Sequence, residues 1–139
     1  MARVKQAMLD LSLIKKPVVA KGVRFACVGV GATLIHFGVA ICLVSLIEVP
    51  PVIANAAAVL VATVFSYLVN TLWSFSAPVG RQTLSRFAVV STLIACIAAA
   101  MSALFEHFGL DYRLGVLATV VCIPPVTFWL HHTWTYRVS

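Results

Sequence analysis

Four long apolar runs dominate the chain, separated by short polar or proline-bearing breaks. They cover residues 25–47, 52–75, 87–105 and 114–134. Each is close to the roughly 20 apolar residues that a helix needs to cross a bilayer. An open sheet in lipid would leave its edge N–H and C=O groups unpaired, so the runs are predicted to be helices. Pro50 and Pro51 separate the first two runs, Ala77, Pro78 and Gly80 the second and third, and residues 109–113 the last two. Proline and glycine at these points stop a helix or turn the chain. All three connections are short, so consecutive helices should pack as antiparallel neighbours.

The pattern is used twice. Arg24-Phe25-Ala26 opens the first pair of runs and Arg86-Phe87-Ala88 the second, 62 positions later. Residues 70–75 (NTLWSF) close the first pair, and residues 131–136 (HHTWTY) close the second, 61 positions later. A two-helix unit followed by its copy enters the membrane in the same direction both times, so the repeats are parallel. The predicted fold is all-α: an integral membrane four-helix bundle of two parallel two-helix repeats in residues 23–139. Residues 1–22 form a basic lead. Val4, Met8 and Leu11 recur there at helical spacing, which suits a short helix lying on the membrane surface. Pro17 and Gly22 should separate that helix from the first span.

Composition agrees and narrows the class. The 139 residues are 62% hydrophobic and 10% charged. A soluble domain carries about 25% charged residues, so a water-facing surface could not be covered, and no length remains for a soluble domain. The first apolar run is long and lacks a small-residue cleavage site, so it reads as a retained span, not a signal peptide. Charge placement sets the orientation. Nine of the ten basic residues lie before the first span, between the second and third, or after the fourth; Arg113 alone lies on the other side, with Glu48, Glu106 and Asp111. That asymmetry places both termini in the cytoplasm. The expected partner of this basic face is anionic lipid, not nucleic acid. Cys27, Cys42, Cys96 and Cys122 all fall inside spans and form no CxxC pair. They read as small apolar residues packed between helices, with no metal or redox centre and no cofactor.

Catalytic motifs do not emerge. There is no glycine-rich phosphate loop, no HExxH and no serine motif with a base at useful spacing, so the chain reads as a non-enzyme. Small residues at four-residue spacing (Ala54, Ala58, Ala62 and Ser66; Gly29 and Thr33; Ala95, Ala99 and Ala103) signal close helix packing. The candidates for binding are polar groups at the cytoplasmic ends of the spans: Arg24, Arg86, Asn70 and His131. Arginine presents a planar fork of donors suited to phosphate, although arginines also anchor helix ends. Asparagine and histidine add neutral hydrogen bonds to a sugar or phosphate. Trp73 and Trp134, with Phe75 and Tyr136, suit an interfacial aromatic belt, or a stacking surface for a sugar ring. His36 in the middle of the first span, Asn55 and Ser66 are candidates to line a path.

These residues resemble the GtrA-like family of small bacterial membrane proteins. The likeness rests on Arg24-Phe25 with Val28-Gly29 and Thr33, then Ala54-Asn55 and Ala58, then residues 66–70 (SYLVN) with Trp73 and Phe75. In the second half it rests on Arg86-Phe87, residues 127–129 (TFW), Trp134 and Tyr136. His131 and Tyr136 stand where the first repeat has Asn70 and Phe75. The resemblance covers about residues 20–137 and implies a four-span protein of cell-surface polysaccharide synthesis in the bacterial inner membrane. It implies that a polyprenyl-phosphate-linked sugar is moved from the cytoplasmic to the outer leaflet, between membrane glycosyltransferases that make and use it. On that reading Arg24 and Arg86 attract the phosphate, and Asn70, His131 and Trp73 hold the sugar. Four helices make a thin wall for a polar path, so a homo-oligomer is expected. The alternatives are a scaffold for a membrane glycosyltransferase, and a small multidrug exporter. The exporter wants an acid deep in the first span, where this chain has His36.

Overall fold

The computed structural model describes residues 2–137, with side chains at 17–111 and 113–137. Regular structure among these residues is entirely helical: α1 (Ala2–Ile47), α2 (Pro51–Val69), α3 (Arg81–His107) and α4 (Tyr112–Leu130). A five-residue π-helical turn prolongs α2 (π1, Asn70–Ser74) and another prolongs α4 (π2, His131–Thr135). Pro17–Ile47, Pro51–Ser74, Arg81–His107 and Arg113–Thr135 are each long and apolar enough to cross a membrane. The chain is therefore an all-α, multi-pass membrane protein.

Two compact units divide it, Met1–Ser76 and Ala77–Ser139, and each is one helix pair. In the first, α1 packs on α2 and π1; in the second, α3 packs on α4 and π2. The first seam buries Val28, Ala54, Ala58, Ala62 and Tyr67. The three alanines recur every four residues, so they share one face of α2, and their small side chains let backbones come close. Gly31 serves the same end on α1, where an added Cβ would stand 3.3 Å from the Phe65 ring. The second seam buries Phe87, Val90 and Gly115, and a Cβ on Gly115 would stand 3.3 Å from Phe105.

Other residues expected at helix contacts lie on exposed surface: Gly29, Thr33, Ala95, Ala99, Ala103 and all four cysteines. A helix pair has one seam, which covers a single stripe of each partner. Many of the remaining apolar side chains, among them Leu34, Phe37, Leu60 and Val120, are exposed and suit contact with lipid.

The connections follow local chemistry. Pro51 occupies the first turn of α2, where its missing N–H costs nothing. Helix α3 ends in a left-handed turn at Gly109 (φ 64°), with Gly109 N–H donating to the Glu106 carbonyl and Leu110 N–H to that of Phe105. That double closure favours glycine, which has no Cβ to strain. The Asp111 carboxylate then accepts from Arg113 N–H at 2.9 Å and caps α4.

One expectation about proline changes. α1 passes without a break through Pro17 and Gly22, where the sequence predicts a separation. α4 likewise contains Pro124 and Pro125 in one continuous helix. The two rings offer no N–H to the carbonyls of Val120 and Val121, so the cost of the pair falls on those acceptors and the helix does not end there.

Candidate functional site

In each unit the end of the helix pair opposite the connecting turn gathers the polar side chains. The helices end there in a widened turn. Asn70 N–H still donates to the carbonyls of Ser66 and Tyr67, but the Asn70 carbonyl accepts from Phe75 N–H, five residues on, at 2.9 Å. The second unit repeats this: the His131 carbonyl accepts from Tyr136 N–H at 2.9 Å. Such a turn holds one residue more than an α-turn, and π-bulges of this kind gather at functional sites.

Side chains hold the widened turns. Asn70 Nδ2 donates to Ser66 Oγ at 3.1 Å, and Ser74 Oγ donates to Asn70 Oδ1 at 2.9 Å. Thr71 Oγ1 donates to the Tyr67 carbonyl at 2.6 Å. In the second unit His131 Nδ1 and Thr135 Oγ1 share a hydrogen bond of 2.9 Å. Asn70, Ser74, His131 and Thr135 are all buried, at 1–2% exposure. A buried polar group is costly unless satisfied, and these pairs satisfy one another four residues apart along one helix. The aromatic residues divide in two. Phe75 and Tyr136 are buried, while Trp73 and Trp134 are exposed by 47% and 43%. Phe25 meets Phe75 edge-on at 6.1 Å, and Phe87 stacks on His131 at 4.8 Å. An interfacial belt of all four aromatics is therefore reduced to the two tryptophans, because Phe75 and Tyr136 close the turns from inside.

Above each turn lies one arginine. Arg24 Nη1 donates to the Trp73 carbonyl at 3.2 Å, and its guanidinium stands 5.6 Å from the centre of the Trp73 ring. Arg86 does the same on Trp134, at 3.2 Å and 5.9 Å. A cation at the carboxyl end of a helix meets unpaired carbonyls and the negative end of the helix dipole, and the indole face adds a second attraction. A guanidinium carries five N–H groups, and each arginine places one on protein. The described carboxylates, Glu48, Glu106 and Asp111, all lie at the opposite, turn ends of the helices. Both guanidinium groups therefore stay available to an external anion.

A recess of about 210 Å³ opens beside Arg86 in the second unit. Pro78, Gln82, Thr83, Tyr136 and Arg137 are among its walls. Thr83 Oγ1 accepts from Gly80 N–H at 3.1 Å and donates to the Gly80 carbonyl at 2.9 Å, which fixes the first turn of α3. Gln82 and Arg137 were not singled out by the sequence reading. The available signal was the charge immediately after the second aromatic exit, where the first repeat has Ser76.

The structure thus unites Arg24 with Trp73, and Arg86 with Trp134. Asn70 and His131 lie beneath them, engaged inside their own helices and not turned to an open surface. Ser66 is half-buried as the acceptor for Asn70. His36 is half-buried in α1, edge-on to Phe37 at 5.8 Å, and Asn55 is exposed near the start of α2. Neither joins the arginine sites.

Comparison with known proteins agrees with this arrangement. The family model of the GtrA/DPMS transmembrane domain matches residues 24–136, which run from Arg24 to Tyr136, the aromatic residue closing the second π-turn. Neither a curated protein nor a solved structure matches the chain. The chain belongs to the GtrA/DPMS transmembrane-domain family, a family associated with the handling of membrane glycosyl lipids.

Proposed function

We propose that this protein moves a polyprenyl-phosphate-linked sugar from the cytoplasmic to the outer leaflet of a bacterial inner membrane, for cell-surface polysaccharide synthesis. The observation that carries the reading is the arginine held twice over a π-turn, once in each unit, by a tryptophan carbonyl and a tryptophan ring. Each site offers a fixed planar cation with spare donors and, among the described residues, no carboxylate to neutralise it, beside an exposed indole. A phosphate ester next to a sugar asks for those groups: N–H donors for the phosphate oxygens and a flat apolar face for the ring. The lipid tail stays in the bilayer against the exposed apolar surface. Asn70 and His131 serve as positioning residues, which hold the turns that present the tryptophan carbonyls.

The direct test uses the purified chain in vesicles carrying a labelled polyprenyl-phosphate sugar. Protein-dependent loss of label from one leaflet, read by an impermeant reagent or enzyme, is the expected result. Movement no faster than in protein-free vesicles would overturn the transport reading and favour a scaffold for a membrane glycosyltransferase.

The direction of transport requires the arginine ends to face the cytoplasm, as the nine basic residues imply. With the four native cysteines replaced, single cysteines introduced at positions 2 and 139 should resist an impermeant thiol reagent in intact cells and react after lysis. Reaction without lysis at either position would reverse the assignment.

A further inference from the structure

The two repeats share their arginine and their π-turn, but not what surrounds them. Around Arg86 the recess is walled by Gln82, Tyr136 and Arg137. At the offsets of 62 and 61 that relate the repeats, the first unit has Ala20, Phe75 and Ser76 at these positions. Each of these three exchanges removes a polar or cationic group, whereas at the position of Thr83 the first unit has Lys21, an ammonium without the planar fork of an arginine. The second unit therefore assembles two guanidinium groups and a side-chain amide around one hollow, and the first unit has the arginine without them.

Donor capacity at the hollow is open. Arg86 gives one N–H to Trp134, and among the described residues neither the Arg137 guanidinium nor the Gln82 side-chain amide has a protein hydrogen-bond partner; the Gln82 backbone carbonyl accepts from Ser85 Oγ at 3.0 Å. Among the described residues counter-charge is remote. The acids of this unit, Glu106 and Asp111, lie at its turn end; Glu106 is twenty residues along α3 from Arg86, or about 30 Å. Two like charges facing one hollow repel, and an anion between them removes that cost. Arg86 is also held on two sides, by the Trp134 carbonyl and ring, so little ordering is needed when an anion arrives.

We infer that the recess of the second repeat is a phosphate-ester site, in which Arg86 and Arg137 grip the phosphate oxygens and Gln82 donates from the side. The first repeat keeps Arg24 as the partner of its helix end. This inference deepens the function proposed above and rests on it for the lipid nature of the ligand. The two duplicated halves then have unequal tasks, and capture of the headgroup belongs to the second.

The test is binding of dodecyl phosphate to the full chain purified in neutral detergent, by titration calorimetry, with Arg137→Gln, Gln82→Ala and Arg113→Gln beside the unaltered protein. Arg137 is exposed and lies beyond π2, so its loss leaves the helix seam untouched. Size-exclusion profiles confirm that each variant is folded. Arg137→Gln should weaken binding about tenfold or more, since it removes a charged hydrogen bond. Gln82→Ala should weaken it severalfold. Arg113→Gln removes the same charge at the far end of the unit and should bind as the unaltered chain does. Equal weakening by Arg113→Gln would show general attraction to a basic protein and overturn the site, as would full-strength binding by Arg137→Gln. Competition with inorganic phosphate separates the sources: displacement at comparable concentration assigns a free-phosphate site, and lack of displacement assigns a headgroup that needs its apolar tail. Binding that follows this pattern without any movement of lipid-linked sugar in vesicles would retain the recess and reject transport. Transport at the full rate by Arg137→Gln would do the reverse.

Discussion

Replacing Asn70 with alanine should lower the stability of the protein before it touches binding. The amide makes two side-chain hydrogen bonds, to Ser66 and from Ser74, at a position only 1% exposed. Side-chain hydrogen bonds in membrane proteins are worth about 0.6–2 kcal/mol each. Removing the amide also strands the Ser66 and Ser74 hydroxyls: Ser66 loses a donor and Ser74 an acceptor, and each must find another partner or stay unsatisfied. A loss of about 2 kcal/mol is expected, read by unfolding of the purified chain in detergent. Ser74→Ala should give a smaller loss, because the Asn70–Ser66 bond survives. The double variant should cost less than the sum of the two, since the Asn70–Ser74 bond can be lost only once. A strictly additive cycle would show that the pair does not hold the π-turn. Unchanged stability with impaired headgroup binding would return Asn70 to the substrate, as its sequence position suggests.

That reversal shows where sequence reading reaches its limit. The spans were legible because lipid demands length and apolarity, which can be counted directly. The repeat was legible because Arg-Phe and the aromatic exits recur at a fixed offset. Ala54, Ala58 and Ala62 were readable as a contact stripe because four-residue spacing maps onto one helix face. The same spacing misled for Gly29, Thr33 and Ala95, because it shows that small residues share a face and not whether a neighbour lies against it. The π-turns were not legible at all. They depend on a shift in the backbone hydrogen bonding, as in the bonds from Phe75 to Asn70 and from Tyr136 to His131, and no residue type marks such a shift. Without the turns, Asn70 and His131 look like polar groups at a helix end facing outward. With them, each looks inward to a hydroxyl four residues on. Arg24 lies within the continuous α1 and Arg86 in the second turn of α3, each beside the carboxyl end of the neighbouring π-turn, and a sequence does not say which carbonyl or ring they meet. The recess was hidden for a related reason: Gln82, Arg86 and Arg137 come from two distant segments that only the α3–π2 packing unites.

The duplication also carries a physical argument about function. A copied anchor needs only its arginine and an acceptor, and both halves retain those. The buried seam has drifted, with Asn70 and Ser74 in one half and His131 and Thr135 in the other, yet each pair still closes across four residues. The bond is kept while the atoms that make it differ, as expected when the turn itself is what must persist. By contrast, the groups around the two arginines differ in number and charge, so the open ends are the place where the halves can divide their work.

Exchanging each arginine for lysine separates anchoring from recognition. Lysine keeps the positive charge that sets membrane orientation, and it can still reach toward a carbonyl or an indole. It loses the planar fork, so it cannot remain on the tryptophan carbonyl and also present paired donors to a phosphate. If Arg86 only holds the end of π2, Arg86→Lys should insert, fold and transport much as the unaltered protein does. If it grips the headgroup, the variant should insert and fold normally but transport the lipid-linked sugar about tenfold or more slowly, through the loss of a charged hydrogen bond worth roughly 1.5–3 kcal/mol. The unequal surroundings of the two arginines sharpen this expectation. Arg24→Lys, in the repeat without the Gln82 and Arg137 counterparts, should cause a clearly smaller fall in the same vesicle assay at matched protein content. Equal falls would make the headgroup site common to both halves. Unchanged transport in both variants would leave the arginines as helix-end anchors, and the duplicated tryptophan contacts as the whole of their purpose.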